Sequence, residues 1–267
     1  MQFAKFRKLA LPALMVVVAG LPLMGAGPTY EGSTTIGENI IPEAAKAFEA
    51  RTGVKFERIG NLGSGKGFQA VMAGQVSLGG VSRALTPAEK KQNPFFEVVG
   101  HDAIAVFVNA KNPVKNLTLE QVKGIFTGRI TNWKDVGGAS APINVITEFK
   151  AGGRATIAAF KELALGNAEY GPSKEVDKPH WCVRAVSTDP NAITHASFAF
   201  NEPGTAAVGV NSVLPSTKTV QSNAYVISRP LILVAKGTPT GDLKRFFDFI
   251  LSSEGQQIVK RNFLPVK

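Results

Sequence analysis

The chain has 267 residues, of which 44% are hydrophobic and 19% charged, a balance typical of a folded globular protein rather than a disordered one. Lys and Arg number 30 against 20 Asp and Glu, which favours anionic partners. No basic run is dense enough to predict nucleic-acid binding, and a single cysteine, Cys182, excludes an intramolecular disulfide.

Residues 1–26 have the three-part layout of a secretory signal peptide. Three basic side chains within residues 5–8 precede an uncharged apolar run over residues 9–24, and small residues predict cleavage after Ala26. A membrane anchor is disfavoured because the run has only 16 residues and contains prolines. We therefore expect an exported protein, periplasmic or secreted, with no membrane insertion after cleavage. The mature chain keeps 27 basic and 20 acidic side chains, a net charge of +7.

The rest of the chain alternates helical and β-branched segments, which predicts an α/β fold with a largely parallel sheet. Helices are predicted over residues 40–52, 65–73, 118–126, 154–165 and 242–251, the last continuing to about Arg261. The first of these is expected to be capped by Asn39. Strands are predicted over residues 76–81, 103–109, 143–147, 183–187, 206–210 and 224–235.

The stretch "GNLGSGKG" at 60–67 comes within one residue of a nucleotide-binding P-loop. Gly60 and Gly65 bracket four residues and Lys66 follows, but Gly67 stands where Ser or Thr would hold magnesium. Export also removes the protein from the ATP pool. We therefore expect the turn to serve another purpose.

Three helices are predicted to begin after a turn rich in glycine or hydroxyl residues, at 33–37, 63–67 and 152–154. Unpaired N–H groups and the positive end of the dipole make helix starts natural anion sites. Simple capping explains any one of them equally well. Three such starts in a basic, exported chain favour anion binding.

Several segments resemble the exported phosphate-binding proteins of phosphate ABC transporters. They are "GSTTIGENIIPEAAKAFEARTG" at 32–53, "NLGSGKGFQAV" at 61–71, "GGVSRALTPAE" at 79–89, "KNPVKNLTLEQVKGIFTGRITNWKDVGG" at 111–138 and "AYVISRPLILVAKG" at 224–237. The resemblance covers nearly the whole mature chain in order.

This resemblance implies a type II periplasmic-binding-protein fold, in which two α/β lobes joined by two chain crossings close over an anion. We expect the crossings near residues 102–114 and 222–231. A single binding-protein domain over residues 27–267 would then have lobe one at 27–110 plus 229–267 and lobe two at 111–228.

The resemblance also implies a set of phosphate contacts. Ser33 and Thr34 fall in the family's first contacting turn, Ser64 with Gly65 in the second, and Ser82 with Arg83 in the third. In place of Arg83, some relatives have an aspartate that accepts a proton from the bound hydrogen phosphate, and others have arginine. We expect the Arg83 guanidinium to pair two ligand oxygens.

The fourth turn departs from the family pattern. Relatives carry an arginine before a Ser-Gly-Thr, whereas this chain has "ITEFKAGGRATIAAF" at 146–160. Gly152 matches, Ala151 and Gly153 replace the hydroxyl residues, and Thr147 or Glu148 stands near the usual arginine. Two candidates could supply the missing charge near Gly152 and Gly153, namely Lys150 and Arg154, although helix geometry could equally point Arg154 to solvent. Phosphate binding is expected to be weaker or less selective as a result.

The favoured function is capture of inorganic phosphate or a similar oxyanion by a monomer, for an ABC permease where one exists. The alternative is a divergent exported module with a weakened or different ligand, serving in protein interactions. An enzyme is disfavoured because the sequence has no nucleophile-base-acid set. No metal site or cofactor is predicted. At "HWC", residues 180–182, a half-buried strand is favoured over a metal site.

Overall fold

The computed structural model describes residues 27–267, so the signal peptide predicted over residues 1–26 lies outside the described range. The first half of this range contains β1 Thr29–Gly32, α1 Thr34–Asn39, α2 Ile41–Thr52, β2 Arg58–Gly60, α3 Ser64–Met72, β3 Leu78–Val81, α4 Pro87–Lys90, β4 Phe95–Asn109, β5 Asn116–Leu117 and α5 Leu119–Phe126. The remainder contains β6 Asn144–Glu148, α6 Ala155–Leu165, β7 Lys174–Val176, α7 Pro179–Thr188, β8 Ala192–Ser197, β9 Thr205–Val210, α8 Thr217–Gln221, β10 Ser228–Ala235, α9 Gly241–Ile250, α10 Ser253–Lys260 and β11 Leu264–Pro265.

One curved sheet runs through both halves of the protein in the order β2-β1-β3-β10-β4-β8-β6-β7. Strand β1 is parallel to β2 and β3, and β6 is parallel to β7 and β8. Strands β4 and β10 are antiparallel to each other in the middle. The sheet is therefore mixed, with a parallel group at each end and antiparallel strands between them.

The long strand β4 joins the two groups. Its residues 95–103 pair with β10, whereas residues 104–108 pair with β8. The pairing partner changes near residue 103, in the middle of a strand that is hydrogen-bonded on both sides. A hydrogen-bonded strand constrains the crossing more than a free linker would.

Two separate hydrophobic cores flank this crossing. The first, which we call the core of lobe one, packs α2, α9 and α10 against β1, β3 and β10. In it the ring of Phe246 lies edge-on to Phe48 at 5.4 Å and to Phe56 at 4.8 Å. The core of lobe two packs α5 and α6 against β4, β8 and β9, with Phe126 edge-on to Phe160 at 4.9 Å. Each side of the crossing therefore has a hydrophobic core of its own.

Most predicted elements are present with small shifts at their ends, except β4, which begins at Phe95, eight residues before the predicted start. Helix α2 buries one face, formed by Ile41, Ala44, Ala45 and Phe48. It ends at Gly53, whose left-handed φ of 74° suits a residue without a side chain. The N-cap is Ile40, because Asn39 ends the preceding helix α1 and its amide donates to the Thr35 carbonyl at 3.0 Å. The expected Asn39 cap is therefore wrong.

The predicted strand at 183–187 is also wrong, since residues Pro179–Thr188 form helix α7. Pro179 occupies the first turn, where proline is well tolerated. Cys182, Val183 and Val186 are buried at helical spacing. The valines suggested a strand, but the three- and four-residue spacing indicates a helix.

The C-terminal helix is predicted as one piece and is two. Helix α9 ends at Ile250, and the Ser252 hydroxyl accepts from the Gly255 amide at 3.3 Å to begin α10. A serine inside a helical pattern is a recognised N-cap. The break turns α10 back onto the lobe-one core.

Candidate functional site

Helices from both lobes begin at one small cavity in the cleft between them. Helices α1 and α3 belong to lobe one, and α6 and α7 belong to lobe two. We call this the cleft cavity; its lining residues are Ser33, Thr34, Thr35, Gly63, Ser64, Ser82, Glu148, Arg154, Ala155, Thr156 and Pro179. The first N–H groups of a helix have no acceptor within that helix, so several donors point towards the same space.

The serines of lobe one form a chain of hydrogen bonds that orients their hydroxyl protons. The Ser33 hydroxyl caps α1 and donates to Ser82 Oγ at 2.9 Å. The Ser82 amide donates to Ser64 Oγ at 3.1 Å. Ser64 and Ser82 therefore each accept a hydrogen bond from the protein and keep their own proton to donate.

The glycine-rich turn at 60–67 allows helix α3 to pack closely on β1. A Cβ on Gly67 would lie 2.3 Å from Gly32 Cα, which no side chain tolerates. The turn is fixed by the Glu31 carboxylate, which accepts from the Leu62 amide at 2.7 Å. Close packing against β1 therefore requires glycine at position 67, where a P-loop has Ser or Thr. This geometry argues against nucleotide binding.

On lobe two, Arg154 lies at the start of α6 and reaches across the cleft. Its guanidinium pairs with Asp177, and its side chain is only 13% exposed. A Cβ on Gly63 would lie 3.5 Å from Arg154 Cδ. The Gly65 amide also donates to the Gly153 carbonyl at 3.2 Å, so the backbones of the two lobes are in contact.

Arg229 lies beneath the cavity and bonds to both lobes. This side chain from β10 is 2% exposed, and its Nε donates to Asp102 Oδ2 at 3.0 Å. Its Nη2 donates to Thr35 Oγ1 at 3.2 Å on lobe one, and its Nη1 donates to Thr156 Oγ1 at 3.1 Å on lobe two. One buried guanidinium thus positions a hydroxyl on each side of the cleft.

Two buried carboxyl groups near the cavity have raised pKa values. Burial raises the pKa of Asp102, although Arg229 and a 2.7 Å hydrogen bond from Ser197 oppose the effect. Burial raises the pKa of Glu148 to about 7, against the charge of Arg154. Glu148 lines the cavity, is 3% exposed, and its Oε2 has no hydrogen-bond partner within residues 27–267.

The predicted site residues fall into two groups. Those that line the cavity are Ser33, Thr34, Ser64, Ser82 and Arg154. Gly65 lies directly beside it in α3. The other predicted residues, Arg83, Lys150, Gly152 and Gly153, are not among the lining residues.

Arg83 and Lys150 both pair with carboxylates of the protein. The Arg83 guanidinium makes two bonds of 2.7 Å to Glu89. Burial alone would raise the pKa of Glu89, but the bonds and charge of Arg83 together with the hydrogen bonds from Thr86 outweigh it, and the pKa is lowered. Lys150 Nζ lies 3.2 Å from Glu175 Oε1 and donates to the Gly171 carbonyl at 3.1 Å. Both cations are thus engaged in ion pairs outside the cavity.

Sequence reasoning missed Thr35, Thr156 and Arg229. Thr156 lies three residues after Gly153, and its hydroxyl lines the cavity from lobe two. A basic residue within the apolar segment "VISRPLILV" is the signal that could have identified Arg229.

The lone cysteine and a central histidine are packing residues of lobe two. Cys182 is buried on α7, and burial raises the pKa of its thiol. His195 stacks on Phe160 at 3.9 Å, and burial lowers its pKa to about 3, so the ring is neutral. Within residues 27–267, no group of three or more His, Cys, Asp and Glu side chains is placed to hold a metal ion. In the same range, no helix has the length and apolarity needed to cross a membrane.

Comparison with known proteins identifies the family. A family model described as a PBP superfamily domain matches residues 29–254. The phosphate-binding protein PstS of Bacillus subtilis is 27% identical over 245 residues, which are 89% of this chain and 80% of that protein. The PstS of Borreliella burgdorferi is 31% identical over 200 residues, or 70% and 71% of the two chains.

A solved structure agrees with these relatives. A Clostridium perfringens protein, described as a phosphate ABC transporter substrate-binding protein and solved with bound phosphate, is 35% identical with a TM-score of 0.84. The match covers 90% of this chain and 100% of that one, and it confirms the type II two-lobed fold. The chain belongs to the PBP superfamily and, within it, to the family of the PstS phosphate-binding proteins.

Proposed function

We propose that this chain captures inorganic phosphate in the cleft cavity and delivers it to an ABC permease. The observation that carries the proposal is the set of oriented donors at the cavity, provided by Ser64, Ser82 and the starts of α1, α3 and α6. The C. perfringens neighbour, which has the same fold, is described with bound phosphate. The PstS relatives are transport components, and the chain is accordingly a binding protein rather than an enzyme.

The chemistry of the cavity suits a compact oxyanion. The Ser64 hydroxyl accepts from the Ser82 N–H and the Thr35 hydroxyl accepts from Arg229, so both direct their protons elsewhere, and an anion is the natural acceptor. Hydrogen bonds to a charged acceptor are worth about 1.5–3 kcal/mol each. The starts of α3 and α6 add a favourable dipole from opposite sides. Arg154 contributes a guanidinium at the cavity wall.

Calorimetric titration of the mature chain with phosphate tests this function. The protein should first be unfolded, dialysed and refolded so that co-purified ligand is removed. We expect saturable binding with one phosphate per chain. Absence of heat and of any thermal stabilisation at high phosphate concentration would refute the function.

The organisation of the mature protein is part of the proposal. We infer an exported monomer over residues 27–267, periplasmic or secreted, with lobe one at 27–110 plus 229–267 and lobe two at 111–228. The change of pairing partner within β4 supports a hinge near the predicted crossing. Closure about such crossings is the usual response of two-lobed binding proteins.

Small-angle scattering tests both the monomer and its closure. The refolded, phosphate-free protein should give the molecular mass of one chain and should contract when phosphate is added. An unchanged radius of gyration at saturating phosphate would contradict closure, and a doubled mass would contradict the monomer.

A further inference from the structure

Glu148 differs in chemistry from the other polar residues of the cleft cavity. Those residues offer hydroxyl protons, helix amides or the Arg154 guanidinium, whereas an ionised carboxylate can only accept. Glu148 ends strand β6, is 3% exposed and leaves Oε2 without a hydrogen-bond partner within the described residues. A buried oxygen without a partner is costly, so this one is available to a ligand.

The charged surroundings of Glu148 come from several elements. Arg154 on α6 and Arg229 on β10 favour its ionised form, and Asp177 opposes it. The Thr156 hydroxyl also stabilises the ionised form. Burial outweighs the two guanidiniums, so the pKa lies near 7 before any ligand arrives.

Two further titratable groups of lobe two lie close enough to respond to the charge of Glu148. They are the Tyr170 phenol and the Cys182 thiol. Burial raises the pKa of each, so both stay neutral near pH 7 and do not compete for the proton.

An oxyanion in the cavity places a second negative charge beside this carboxyl group. Like charges disfavour ionisation, so the arrival of the anion makes protonation of Glu148 easier. As a neutral acid the group becomes a donor, which the anion can accept. The repulsive contact is then replaced by a hydrogen bond.

We propose that Glu148 is a specificity-determining residue that binds the oxyanion as a neutral carboxylic acid, donating its proton to an anion oxygen. The proton stays in the complex, between Glu148 and the anion, and no covalent bond changes. When Glu148 is ionised beforehand, binding of a dianion takes up one proton from solvent. The inference rests on the proposed oxyanion function and names the protonation state in which the site works.

Sulfate is the decisive probe, because it does not titrate near neutral pH and the proton must come from the protein or from solvent. With a Glu148 pKa of about 7, sulfate should bind the parent about thirtyfold more weakly at about pH 8.5 than at about pH 6. Calorimetry in two buffers of different ionisation enthalpy should give close to one proton taken up per sulfate at the higher pH. It should give little uptake at the lower pH.

Glu148→Gln removes the ionisable group and keeps its shape. This variant should bind sulfate with nearly the same affinity at both pH values and with no proton uptake. Glu175→Gln is the matched control, because Glu175 lies on the neighbouring strand β7, pairs with Lys150 and is not among the cavity-lining residues. It should behave like the parent.

The outcomes separate this inference from the proposed function. If the parent binds phosphate but takes up no proton with sulfate at about pH 8.5, or rejects sulfate even at about pH 6, the role of Glu148 is overturned and phosphate capture stands. The same holds if Glu148→Gln keeps the parent's pH dependence. If the parent binds neither anion, the proposed function itself fails. If Glu148→Gln fails to fold, the proton uptake measured for the parent with sulfate is sufficient to test the role of Glu148.

Discussion

Replacement of Arg229 by methionine removes the buried cation that bonds to both lobes. The substitution keeps an apolar stem in place but leaves Asp102, 2% exposed, with Ser197 as its remaining partner. Loss of one partner from a buried ion pair costs about 3–5 kcal/mol, because the other charge stays buried. For a protein of this size that corresponds to a melting temperature lower by roughly 6–20 °C.

The loss should depend on pH in a defined direction. Burial already raises the pKa of Asp102, and removal of Arg229 takes away an opposing charge, so the pKa rises further in the variant. A carboxyl group with a raised pKa in the folded state binds its proton more tightly there than in the unfolded chain. Stability is therefore gained as the pH falls through the folded pKa. The deficit of Arg229→Met relative to the parent should shrink from about pH 8 to about pH 5.

Urea unfolding of the parent and the variant across this pH range is the measurement. Arg245→Met is the matched control, since Arg245 pairs with Asp242 at 2.7 Å on the surface, with half of its side chain exposed. Surface pairs contribute about 0–1 kcal/mol. A loss for Arg229→Met no larger than that of the control, or a deficit that grows towards low pH, would show that the argument from the buried pair is incorrect.

Three further variants test the site and its scaffold. Ser64→Ala removes an oriented donor and should weaken phosphate binding by about 1–1.5 kcal/mol, roughly five- to tenfold in Kd by calorimetry; unchanged affinity would reduce the turn to a helix cap. Gly67→Ala forces a Cβ to 2.3 Å from the β1 backbone and should lower the free energy of unfolding in urea by about 1–3 kcal/mol. In the control Gly237→Ala the new Cβ meets no atom within 4 Å, so its stability should be nearly unchanged. Equal losses of stability in the two variants would contradict the close packing of α3 on β1. Ala151→Ser restores one of the family's hydroxyls at a position that does not line the cavity, so Kd for phosphate should stay within about twofold. Gly153 is kept, because its φ of 73° would strain a β-branched threonine. A gain of about tenfold for Ala151→Ser would show that the loop does reach the ligand.

The sequence predicts the helices well where periodicity and capping agree. Helix α5 is an example, because Thr118 and Gln121 form a reciprocal capping box before an apolar stripe. Prediction fails at α7, where β-branched residues compete with helical spacing. Helix α1 is also missed, since six residues are too few to show a period.

The site was predictable from the sequence only where its residues act through local turns. Residues that act through a local turn, such as Ser33 and Ser64, can be recognised from the glycines and hydroxyls around them. Arg229 acts through tertiary contacts with Thr35, 194 residues away, and Thr156, 73 residues away. No local pattern encodes such pairs. Arg83 bonds to Glu89, six residues further on, and this ion pair was not predicted because sequence separation alone does not show which carboxylate a guanidinium meets.

The start of helix α6 explains how the fourth turn can lose its hydroxyls without emptying the site of donors. Helix α6 begins at Ala155, so the N–H groups that point into the cavity belong to residues after the loop rather than to the loop itself. Thr156 lies in the first turn of α6, and its hydroxyl is held by Arg229 at 3.1 Å. The segment over 149–153 then has only to connect β6 to α6 and to meet Gly65 across the cleft, which the Gly153 carbonyl does. Within it Lys150 pairs with Glu175, and Gly152 and Gly153 have left-handed φ values of 92° and 73°. A change at Thr156 would remove a cavity-lining hydroxyl and a hydrogen-bond acceptor from Arg229 at once.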